Sequence, residues 1–67
     1  MKKFGCMKLE ILHAFRQSCI DSLLDVANLI RTETDDDNRY ALEVRRTELL
    51  RLLQGVDTEL AKRAEKP

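Results

Sequence analysis

Two long stretches of apolar residues at helical spacing flank one acidic corner, and neither contains a proline. That arrangement leaves a 67-residue chain few ways to fold. In the first stretch, Leu12, Phe15, Cys19, Leu23, Val26 and Ile30 fall within about 80° of one another at about 100° per residue. Leu9, Ile20 and Ala27 flank that stripe on one side, with Ile11 and Leu29 on the other. Glu10, Gln17, Asp21, Asp25 and Asn28 lie opposite, so a strongly amphipathic helix is expected from about Met7 to Thr32. Arg16 is the one charge on the apolar face, and its stem can lie along that face with the head in water.

The second stretch gives a helix over about 36–64. Leu42, Leu49, Leu53, Val56 and Leu60 share one side of it, and Leu50 and Leu52 widen the stripe. Gly55 interrupts this helix at a cost of about 1 kcal/mol relative to alanine. It reads either as a tolerated surface glycine or as a point of close approach or kinking. Between the helices, residues 33–36 form the acidic turn. Thr34 and Asp37 have the spacing of a capping box, and Asp35 is an equally good N-cap. Asp36 and Asp37 then meet the positive end of the helix dipole. The same aspartates do not make a calcium loop, because counting from Asp35 the sixth residue is Tyr40 rather than glycine and the twelfth is Arg46 rather than glutamate. No metal and no cofactor are expected.

Helices of roughly 26 and 29 residues would be about 39 and 43 Å long. A connection this short makes them antiparallel neighbours, so the expected fold is all-α, a two-helix hairpin in a single domain. Chains of this size bury only about 60% of their unfolded surface and usually need a staple, a metal or a second chain. Cys6 and Cys19 provide no disulfide framework and no CxxC pair. Cys19 reads as a small buried hydrophobe. Two helices in contact each cover a narrow seam, about two residues in seven, and both apolar faces here are wider than that. The surplus is expected to meet another helical protein or a second copy, completing a bundle. The expected contact residues are Ile20, Leu23, Leu24, Leu49, Leu50, Leu52 and Leu53. Tyr40 and Val44, on the far side of the second helix, form a smaller patch.

Catalytic signals are missing. His13 has no ligand-spaced neighbour, Ser18, Ser22 and Cys19 lack a base, and no phosphate loop exists. Twelve acids balance twelve bases, which gives no global field for nucleic acid or an anionic membrane. Arg39, Arg45, Arg46, Arg51, Lys62 and Arg63 scatter around the helix among Glu43, Glu48 and Glu59, as in solvated intrahelical pairs. No apolar run is long enough to span a bilayer or to act as a signal peptide. With two free thiols, these features lead to an expected cytoplasmic location. Translation can start at Met1 or Met7.

The stretch "DDDNRYALEVRRTELLRLL" places an aromatic, Tyr40, near the start of the second helix, with Arg45 five and Leu50 ten residues on. This layout resembles the small two-helix co-chaperones of type III secretion needle subunits. The resemblance implies a non-catalytic hairpin that pairs with a second helical chaperone and keeps a filament subunit soluble. Two other readings fit the same pattern. One is a homodimeric four-helix regulator of RNA or DNA, whose binding would fall steeply with salt. The other is a small phage or plasmid factor that inhibits a host protein by masking its surface.

Overall fold

A computed structural model describes residues 4–65. Helix α1 covers Leu9–Thr32 and helix α2 covers Asp36–Glu65, packed side by side as an antiparallel hairpin about 50 Å long. The seam between them follows a seven-residue spacing. Leu12, Cys19 and Val26 of α1 and Leu49 and Val56 of α2 are the buried hydrophobic residues, with Leu12 and Val56 fully sealed. Seven residues nearly complete two turns, so such a spacing keeps one line of side chains against the neighbouring helix. Phe15, Leu23, Ile30, Leu42, Leu53 and Leu60 are half-buried along its edges.

The corner is built as a helix stop followed directly by a helix start. The backbone N–H of Glu33 donates to Leu29 O, and the Thr32 hydroxyl donates to the carbonyls of Asn28 and Leu29. Arg39 reaches back and donates to Glu33 O at 2.9 Å, satisfying a further carbonyl at the end of α1. Glu33 has φ −77° and ψ 126°, an extended conformation open to any residue, which is why the turn needs no glycine. Asp35, rather than Thr34, caps α2. Its Oδ1 accepts from the backbone N–H groups of Asp37 at 2.9 Å and Asn38 at 3.2 Å. A carboxylate at this position meets both unpaired donors and the positive end of the helix.

The chain ahead of α1 is structured too. Phe4 to Met7 form a turn closed by a bond from Met7 N to Phe4 O. The guanidinium of Arg63, near the end of α2, donates to the carbonyls of Phe4 at 3.2 Å and Met7 at 2.5 Å. Arg63 follows Leu49 and Val56 at the same seven-residue spacing. At the open end of the hairpin the seam therefore changes from an apolar contact to a polar clasp. Lys8 is extended, with φ −68° and ψ 151°, so α1 begins at Leu9 rather than at Met7.

The turn places the Phe4 ring against two features of the hairpin. Its centroid lies 5.8 Å from that of Phe15 in a tilted pair. It also lies over Gly55, where a methyl group would come within 2.6 Å of Phe4 Cε2. Gly55 is thus a point of close approach, and what approaches is an aromatic ring rather than the other helix. Arg16, expected to hold its head in water, instead donates from Nε to Asp57 Oδ1 across the hairpin at 2.7 Å. Both partners are about half exposed, so the pair adds only a few tenths of a kcal/mol and serves mainly to mark the register. Of the intrahelical pairs expected on α2, Arg63 with Glu59 forms at 2.9 Å. No other ion pair occurs within α2 among the described residues, as long exposed side chains gain little by being held together.

Two predictions test these ends. Asp35→Ala should cost about 1 kcal/mol of stability, read from urea unfolding, because both N–H groups lose their acceptor. For the Phe4 seat, a double-mutant cycle is decisive. Gly55→Ala should stabilise the helix by about 1 kcal/mol when Phe4 is already alanine, and should give little or no gain when the ring is present. Additive effects would mean that Phe4 does not sit on Gly55.

Candidate partner-binding surface

The Arg16–Asp57 pair and the Phe4 turn establish which flanks of the two helices lie together. On the side of Arg16 and Asp57, helical spacing places Leu9, Ile20, Leu24 and Ala27 of α1 beside Leu50 and Leu53 of α2. On the opposite side lie Phe15, Leu52 and Gly55 under the Phe4 ring, with Ile11 and Leu29 along the same edge. The hairpin therefore has one flank partly sheltered by its own N-terminal turn and one, the bare flank, without such a turn. Exposed apolar residues lie on both: Leu9, Leu24 and Leu50 on the bare flank, Ile11 and Leu29 on the other.

The bare flank holds much of the expected contact set. Leu24 is 61% exposed and Leu50 is 45% exposed, and both are large apolar side chains. Ile20, Leu23 and Leu53 are half-buried between this flank and the seam. Leu49 is 6% exposed and packs inside the seam. It supports the surface from beneath rather than forming part of it. Leu52 is half-buried on the other flank, next to Phe4, Glu48 and Arg51. Tyr40, at 70% exposed, and Val44 lie together on the outward side of α2, apart from both flanks. The expected residues thus divide among a bare flank, a seam, a turn-covered flank and an outer patch.

Further exposed apolar residues were not part of that set. Leu9 and Ile11 at the open end and Leu29 near the corner each expose about half their surface. Leu29 borders a shallow groove with Val26, Glu33, Asn38, Ala41, Leu42 and Arg45, where the two helices part before the turn. The sequence signal for these three was their position beside the stripe rather than within it.

The chemistry available is mostly that of contact. Among the described residues, no group of three or more His, Cys, Asp or Glu side chains is placed to hold a metal ion. The Asp35 carboxylate is engaged by the start of α2, and the Glu33 carboxylate accepts from the Asp35 N–H at 3.1 Å. Both cysteines are free, Cys19 in the seam and Cys6 exposed on the N-terminal turn. No described helix is long and apolar enough to cross a membrane.

The surface is large for the mass. Surface-to-mass scaling gives about 4,400 Å² for a folded 7.8 kDa monomer. This chain exposes 5439 Å². The excess follows from the shape, a rod of 50 × 21 × 15 Å with a single seam. No protein-family model, curated protein or solved structure matches this chain.

Proposed function

We propose that this protein is a non-catalytic helical-hairpin binding module that grips another helical chain along its bare flank. The observation that carries this reading is the pair Leu24 and Leu50. Both are large and apolar, Leu24 is 61% and Leu50 45% exposed, and both lie beside half-buried Ile20 and Leu53 on one side of the rod. A leucine left in water forgoes about 1.5–3 kcal/mol that burial would supply. A chain whose buried core is this small has reason to recover it through a partner.

The resemblance to secretion co-chaperones gives the proposal a concrete form. In that form the bare flank meets a helical chaperone partner, and the outward Tyr40–Val44 patch is left free for a filament subunit. The proposal also places the module in the cytoplasm. What supports the binding reading is a rod that carries separate apolar patches.

Leu50→Asp tests the reading. It should weaken assembly at least tenfold, because a carboxylate would have to be buried where a leucine was. Helicity measured by circular dichroism should fall less than assembly does, since Leu50 contributes little to the seam. Thr47→Asp, on the outward side of α2, should leave assembly unchanged. Sedimentation showing identical assembly for wild type and Leu50→Asp would rule the surface out.

A further inference from the structure

We infer that the chain covering the bare flank is a second copy of this protein, set with its long axis parallel to the first and related to it by a twofold axis along the rod. The inference rests on the binding role of that flank and adds the identity and orientation of the partner.

The first support is level matching. Distances along both helices can be measured from the Arg16–Asp57 pair, toward the corner. Ile20 and Leu53 both lie about 6 Å along, at 1.5 Å per residue. Leu24 and Leu50 lie about 11–12 Å along, and Arg31 and Glu43 about 21–23 Å along. A twofold axis parallel to the rod brings α1 of one copy against α2 of the other, antiparallel and at the same levels. Ile20 then meets Leu53, Leu24 meets Leu50, and Arg31 meets Glu43, and each contact occurs twice.

Charge is the second support. Helical spacing places Arg31 within about 20° of Leu24 and Glu43 within about 20° of Leu50, on the outward half of this flank, and both are exposed. Neither is in an ion pair within the hairpin among the described residues. In the dimer they make opposite-charge rim contacts. Arg16 and Asp57 likewise fall opposite each other between copies as well as within each one. Arg46, the charge nearest the middle of the strip, lies level with Ala27. That small side chain leaves room for the arginine stem to turn its head outward toward Glu43.

The other flank fails the same construction. Asp25 would lie level with Glu48 of the second copy, a like-charge contact, and the Phe4 turn occupies the space over Gly55. With equal numbers of acids and bases, the two copies have no net repulsion to overcome.

Area is the third support. A standard-size interface takes about 800 Å² from each partner. A face about 50 Å by 21 Å is large enough to supply it.

Charge reversal and mixing test the inference, using sedimentation equilibrium with circular dichroism on the full chain. The wild type should be a dimer. Arg31→Glu and Glu43→Arg should each weaken self-association about tenfold, because both copies of the rim contact become repulsive. Mixing the two variants should restore dimerisation, since a heterodimer has one copy with two acids facing one with two bases. Regain of helicity on mixing would support the inference equally well, should either variant be poorly folded alone. A wild type that stays monomeric overturns it while leaving the binding role of the flank open to another helical partner. So does a dimer that Leu50→Asp disrupts but that neither charge reversal weakens, because the flank would then be used in a different orientation. Weakened variants that do not recover on mixing also overturn it.

Discussion

The seven-residue spacing of Leu12, Cys19 and Val26 against Leu49 and Val56 controls the rest of this structure. It holds two rods together along one line and seals only the residues on that line. Every apolar side chain more than about a quarter-turn from the seam stays at least partly wet. A third helix would cover them in a larger domain. This hairpin has only the short turn at Phe4–Met7, which shelters one flank near the open end. The uncovered leucines therefore follow from the architecture.

Polar contacts set the ends and the register around that seam. At the corner, Arg39 and Thr32 satisfy carbonyls at the end of α1, and the Asp35 carboxylate satisfies N–H groups at the start of α2. At the open end, Arg63 gathers carbonyls of the N-terminal turn. Between them, Arg16 and Asp57 hold one level of α1 against one level of α2. None of these contacts supplies much stability alone. Together they keep the two helices from sliding, so the bare flank presents its side chains in one fixed pattern.

Much of this was legible in the sequence because it depends on local periodicity and local capping. The helical hairpin, the buried Cys19 and a capped start to α2 are of that kind, although the choice of Asp35 over Thr34 as the cap came only with the structure. Contacts between distant segments were not legible in the same way. The segment before α1 has no periodicity, and its order comes from one aromatic ring and one arginine more than fifty residues away. Gly55 carried a trace of that contact, as a glycine inside a leucine-rich helix, but nothing local says which side chain uses the space. Leu49 and Leu50 differ by one position and by opposite fates, one in the seam and one in water. The apolar stripe of α2 centres on Leu49 and puts Leu50 at its edge, and the Arg16–Asp57 pair marks the register in which the two helices meet. The same register is what turns scattered exposed residues into a surface with a direction.

The central claim is that this hairpin is stabilised by what covers its flank as much as by its own seam. Thermal unfolding of the purified chain, followed across a hundredfold range of concentration, tests that most directly. Mass action requires the midpoint to rise with concentration if copies must associate to complete the fold. A high midpoint that stays the same at every concentration would contradict the account, since the seam alone would then be enough.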